Sequence, residues 1–75
     1  PLEGLIDANE EEQRLNKKIS KLEQEKDMLG KKLNNKKFVD NAPKDLVLNQ
    51  KDRYTILETE LNNLKNQLIE IQKLI

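Results

Sequence analysis

Cysteine and histidine are both missing from this chain, which excludes disulfides, thiolate nucleophiles and ordinary zinc sites. There is no tryptophan, and Tyr54 and Phe38 are the only aromatic residues. Two glycines, Gly4 and Gly30, are too few for a glycine-rich phosphate loop. No apolar run approaches the length of a membrane span, and no signal-peptide pattern is visible. Carboxylate pairs such as Glu58 and Glu60 are what a solvated helix face ordinarily carries, and no other group completes a catalytic set. The sequence therefore offers no catalytic residue, no metal site and no cofactor site within these residues.

What is present is charge and aliphatic periodicity. Charged residues make up 37% of the 75 residues and hydrophobic ones 35%, a balance suited to long exposed helices joined along narrow seams. The length allows a single domain, residues 1–75. With Pro1 rather than Met in first place, the chain is expected to be a piece of a longer protein.

Residues 1–6 read as a short lead-in containing Gly4. Asp7 is a good N-cap, and Glu10 three residues later makes a capping-box-like pair, so a first helix is expected over 7–34. Its seam is Ala8, Glu12, Leu15, Ile19, Leu22, Lys26, Leu29 and Leu33, with steps alternating between three and four. Gly30 lies off that seam. Residues 35–42 form a connector, where Asn34-Asn35 suits a left-handed helix end and Pro43 suits the first position of the next helix. A second helix is expected over 43–75, with Val47, Gln50, Tyr54, Leu57, Leu61, Leu64, Leu68, Ile71 and Ile75 on one seam. Such regular periodicity argues against disorder.

A connector this short forces the two helices antiparallel. The expected fold is all-α: a coiled-coil hairpin of two long helices, with the left-handed supercoil that a 3.5-residue period imposes. Matching polar seam positions sets Leu29 against Val47, Lys26 against Gln50, Leu22 against Tyr54, Ile19 against Leu57 and Leu15 against Leu61. A slip of one heptad, which sets Lys26 against Leu57, ranks second. In the first register Ile71 and Ile75 run past the first helix to cover Leu2, Leu5 and Ile6. Leu46, Ile56, Ile69 and Leu74 lie off the seam. They either meet a larger parent protein or drive self-association of the piece.

The formal net charge is zero, but it is unevenly spread. Residues 1–12 carry five acidic side chains and no basic one. Residues 13–37 carry nine basic side chains against Glu23, Glu25 and Asp27. Arg14, Lys17, Lys18 and Lys21 fall at i, i+3, i+4 and i+7 and so share a helix face, which Lys31 and Lys32 continue. Lys36 and Lys37 lie in the connector beside Phe38 and Val39, which are expected to cap the hairpin tip. Read blandly, these lysines solubilise the surface. Read sharply, they form a rail of ammonium groups that meets phosphates, with Phe38 available to stack on an exposed base.

Several stretches resemble the carboxy-terminal arm of bacterial valyl-tRNA synthetases: Pro1-Leu2-Glu3-Gly4-Leu5-Ile6-Asp7, Arg14-Leu15, Lys21-Leu22, Lys32-Leu33-Asn34, Phe38-Val39 and Ala42-Pro43. The likeness covers nearly the whole chain, and its most specific parts are Gly4 to Asp7 and the Asn34 to Pro43 connector. It implies a long antiparallel coiled coil at the end of a class I synthetase, in which the arm leans on the outer corner of tRNA. Arg14, Lys17, Lys18, Lys21, Lys31 and Lys32 would then meet backbone phosphates, with Lys36, Lys37 and Phe38 at the tip. Valine activation and ATP would belong to the rest of the synthetase chain, and the setting would be cytoplasmic. Two rivals remain open. One is a spacer or dimerisation hairpin without a nucleic-acid role. The other is the amino-terminal arm of seryl-tRNA synthetases, which the Gly4 to Asp7 lead-in and the connector fit less well.

Overall fold

The structure, a computed structural model, describes residues 7–75. Three helices follow one another: α1 (Ala8–Asn34), α2 (Lys36–Asn41) and α3 (Lys44–Gln72). The two long ones pack against each other as a hairpin about 57 Å long and 15 Å wide. No strand occurs among the described residues. The expected all-α hairpin is what forms. The lead-in segment, and with it the expected cover of Leu2, Leu5 and Ile6, lies outside the described residues.

Each boundary has a local cause. The Asp7 carboxylate accepts from the amides of Asn9 (3.0 Å) and Glu10 (3.3 Å), satisfying donors that the first turn leaves without partners. The connector differs from expectation. Asn35 is not left-handed but extended, at φ −84° and ψ 106°, and it serves two helices at once. Its own amide donates back to the Lys32 carbonyl at 3.1 Å, closing α1. Its side-chain oxygen accepts from Lys37 (3.0 Å) and Phe38 (3.3 Å), opening the six-residue α2 inside what reads as a loop. Ala42 is extended, as the residue before a proline prefers. Pro43 stands just before α3, at its cap rather than within its first turn. Its carbonyl accepts from the Val47 amide at 3.1 Å. At the other end α3 stops at Gln72, three residues short of Ile75, where Lys73 donates to the Ile69 carbonyl at 3.2 Å.

The core is one side chain thick. Leu15, Ile19, Leu29, Val47, Leu57, Leu61 and Leu64 are buried, every one of them a seam position, and no polar residue joins them among the described residues. Leu15 and Leu57 are the most completely enclosed, at 1% and 0% exposed. Leu15, Ile19, Leu61 and Leu64 form a continuous cluster, with Leu22, Leu68 and Ile71 packed against it. Off the seam, Leu46, Ile56, Ile69 and Leu74 are exposed, as are Met28 and Leu48.

The register is not the one that polar matching favours. Tyr54 lies not beside Leu22 but against Gly30, where a Cβ would meet its ring at 3.4 Å. The Lys26 ammonium stands 5.4 Å from the centroid of the same ring. Near the open end, Gln72 Nε2 donates to Glu12 Oε2 at 3.2 Å. These contacts set Lys26 near Leu57 and Leu22 near Leu61, the one-heptad slip that ranked second. Two physical facts explain it. Forming α2 moves the turn of the hairpin toward Pro43. Lys26 also needs no polar partner inside the seam, because its ammonium rests over the Tyr54 ring.

Gln50 bears the cost of this register. Its Oε1 is enclosed and has no hydrogen-bond partner. Replacing Gln50→Leu should raise stability by about 1 kcal/mol, the usual penalty of such a group, seen as a higher melting midpoint. A lowered midpoint would show that the amide is satisfied after all. The register itself is open to crosslinking, since the chain contains no native cysteine. Cysteines introduced at Leu22 and Leu61 should form a disulfide readily, whereas a pair at Leu22 and Tyr54 should not. The reverse result would restore the polar-matched register.

Candidate nucleic-acid interface

The heptad that builds the seam also sorts the surface into flanks. Lys18 and Lys32 each immediately precede a seam residue, Ile19 and Leu33, and so lie on one flank of α1. Arg14, Lys17, Lys21 and Lys31 lie further round the same side. All six side chains are exposed. Arg14 pairs with Glu11 one turn earlier. Lys17, Lys18, Lys21, Lys31 and Lys32 form no ion pair among the described residues. Such unpaired cations keep their full field available to a polyanion.

Near the turn of the hairpin, Lys36 and Lys37 occupy the first turn of α2 and are exposed. Phe38 is half-buried, as is Val39, so part of the ring is committed to the tip of the hairpin. The structure thus brings Arg14, Lys17, Lys18, Lys21, Lys31 and Lys32 onto one side of α1, and sets Lys36, Lys37 and Phe38 at its far end.

Composition shows the three acids that interrupt the basic stretch but not what happens to two of them. Glu23 receives Lys65 at 3.2 Å, and Glu25 receives Arg53 at 2.7 Å, both from α3. The Arg53–Glu25 pair is forked: Nε donates to Oε2 and Nη2 donates to Oε1 at 3.2 Å. Neither pairing could be assigned from sequence, because both depend on the register; Arg53 joins this surface, whereas Lys65 and Glu23 lie on the other flank. The hydrogen bond from Arg53 holds the Glu25 carboxyl below its ordinary pKa, against a weaker opposing effect of desolvation, and the arginine charge adds to it. The same pair holds Arg53 above its usual value.

The opposite side of the hairpin has a groove lined by Glu23, Asp27, Glu58, Thr59, Asn62 and Lys65. Its charges are mixed and open to solvent. Among the described residues no group of three histidine, cysteine, aspartate or glutamate side chains converges to hold a metal, and no helix is long and apolar enough to cross a membrane.

A two-helix arm carrying unpaired lysines along one side has the form of a binding appendage. Sequence comparison gives that class a particular family. The valyl tRNA synthetase tRNA binding arm family matches residues 7–72, and the chain belongs to it. It is similar to the valine–tRNA ligase of Geobacter sulfurreducens, 40% identical over 99% of this chain and 8% of the relative. It is similar also to that of Xylella fastidiosa strain M12, 45% identical over 89% of this chain and 7% of the relative. Against the Lacticaseibacillus casei ligase it is 40% identical over 97% of this chain and 8% of the relative. The chain thus spans less than a tenth of the length of these relatives. No solved structure matches it.

The Arg53–Glu25 fork should give the hairpin a small acid-sensitive contribution, screened because both side chains are exposed. Because folding lowers the pKa of Glu25, the fork contributes in full above the ordinary glutamate value of 4.5 and is lost as pH falls through the lowered one. The melting midpoint should therefore drop on acidification below pH 4.5. Glu25→Gln should drop less over the same range. Identical pH profiles for the two proteins would remove Glu25 from the account.

Proposed function

We propose that this chain is the tRNA-binding arm of a valine–tRNA ligase, and that its basic side rests on the sugar–phosphate backbone at the outer corner of tRNA, where the D and T loops meet. The observation that carries this reading is the row of unpaired lysines on one side of α1, in a chain that belongs to a tRNA-binding-arm family. Arg14, Lys17, Lys18, Lys21, Lys31 and Lys32 meet phosphates, Lys36 and Lys37 extend the contact to the tip, and the exposed part of Phe38 packs on the RNA there. Lysine is suited to this task as a mobile point charge, and scarce arginine fits a surface that reads backbone position rather than base identity. Aminoacylation, its ATP and the choice of valine belong to the remaining nine-tenths of the ligase, which would work in the cytoplasm. The partners are tRNA and the body of the same ligase, whose placement sets where the arm lands.

A second reading has its own support. Leu46, Leu48, Ile56 and Ile69 are exposed on α3, a surface that self-association or packing on the ligase body would cover. Sedimentation of the chain measures the first of these directly, and a dimer would be compatible with RNA binding.

The central test is tRNA binding by the full-length ligase across a salt series. The logarithm of affinity should fall with the logarithm of salt more steeply for the intact ligase than for one in which Lys17, Lys21, Lys31 and Lys32 are all changed to Glu. The arm's share of the slope is expected to be roughly three to six, somewhat under one per phosphate. The charge-reversed ligase should also bind roughly tenfold or more weakly at moderate salt. Unchanged affinity and slope would show that this side of α1 does not touch tRNA.

A further inference from the structure

The lysine row on α1 has a gap, and the structure shows what occupies it. Lys18, Glu25 and Lys32 are spaced seven residues apart on one flank, each immediately before a seam residue. Glu25 is therefore about 10 Å along the axis from either lysine. Alone it would set an anion in the middle of a surface built for phosphates. Arg53 reaches across from α3 and places its guanidinium there. In its own row on that flank of α3, Leu46, Arg53, Glu60 and Gln67, it is the one cation. Lys65 does not share this position. Its partner Glu23 immediately follows a seam residue and so lies on the other flank.

A guanidinium carries five N–H donors. Two are spent on Glu25, and no other partner takes the rest among the described residues. Both side chains remain accessible, at 43% and 42% exposed. The fork fixes the plane of the guanidinium, so presenting the remaining donors costs less side-chain entropy than a free lysine would pay. An exposed pair of this kind adds little to fold stability. Its position between two unpaired lysines is what gives it a use. Glu60, one heptad further along α3, also acts on Arg53 through its charge and limits how far the cationic flank extends on that helix.

We propose that Arg53 is a phosphate-contacting residue of the RNA-binding surface, supplied by the second helix to bridge Lys18 and Lys32 at the place where Glu25 interrupts them. The proposal rests on the tRNA-arm reading and adds a residue that the basic stretch of α1 does not contain. The surface is then a composite of both helices and exists only in the observed register. In a hairpin shifted by one heptad, Arg53 would leave the gap and Glu25 would face the RNA uncompensated.

The experiment compares Arg53→Gln and Glu25→Gln in the full-length ligase, each measured for tRNA affinity across a salt series and for melting midpoint. Both substitutions break the charge pair, so a purely structural clamp predicts equal effects on binding. A phosphate contact predicts a difference. Arg53→Gln should lower the log–log salt slope by about one, while Glu25→Gln, which keeps the cation and removes the anion, should leave the slope unchanged or steeper. Equal slopes for the two variants, or no change in Arg53→Gln, would overturn the assignment. The ligase with Lys17, Lys21, Lys31 and Lys32 reversed to Glu serves as the control. If it loses tRNA affinity while Arg53→Gln does not, Arg53 is wrongly assigned and the arm reading stands. If neither change affects binding, the arm reading itself fails.

Discussion

Everything in this hairpin depends on a seam one side chain thick. Seven buried aliphatic residues hold two helices of 27 and 29 residues together, with no second layer behind them. In a scaffold of this kind apolar burial and ordering entropy nearly cancel, so the arrangement of the seam decides what folds. The seam fixes more than stability. Because both helices are long, a shift of one heptad moves each flank residue about 10 Å against its neighbours across the groove. Which charges meet across the two helices is set by register.

The two long helices were legible because a three-four alternation kept over many residues leaves little room for another reading. Asp7 and Pro43 marked their starts for reasons of backbone chemistry that need no tertiary context. The short helix α2 was not legible. Lys36 to Asn41 is too brief to show a period, and Asn35, read as the end of the first helix, also caps the next one. The register failed for a different reason. Matching polar residues across the seam assumes that a lysine at a seam position must find a polar partner. Lys26 escapes that constraint by resting its ammonium over Tyr54, and Gln50 is left to bear the mismatch alone. Gly30 lies off the seam by period, yet it is the place where the Tyr54 ring lies against α1.

The same division holds for the surface. Arg14, Lys17, Lys18, Lys21, Lys31 and Lys32 could be placed on one side from spacing within α1, since that spacing needs only a helix. Arg53 could not, because its meaning lies in Glu25, more than twenty residues away in sequence and paired only after the hairpin closes; Lys65 meets Glu23 in the same way on the other flank. Net charge was a poor guide throughout. The chain is formally neutral, yet its described structure gathers unpaired lysines on one side and neutralises two of the intervening acids from the opposite helix. What an approaching polyanion meets is this local arrangement, not the sum.

The seam is also uneven along its length. Toward the open end, Leu15, Ile19, Leu61 and Leu64 form a continuous buried cluster reinforced by Leu22, Leu68 and Ile71. Toward the turn, the seam includes Lys26, Gln50 and Tyr54, and only Leu29, Val47 and Leu57 are buried there. Local opening costs least where buried apolar contacts are fewest, so the end bearing Lys31, Lys32, Lys36 and Lys37 yields before the end bearing the leucine cluster. That gradient suits an arm. On the proposed reading, the leucine-rich end keeps the lever straight and the less densely packed end lets the lysines follow a curved phosphate backbone. A seam of uniform leucine would be more stable but would hold the tip in one geometry. The polar residues that complicate the register therefore concentrate where the proposed function gains most from compliance.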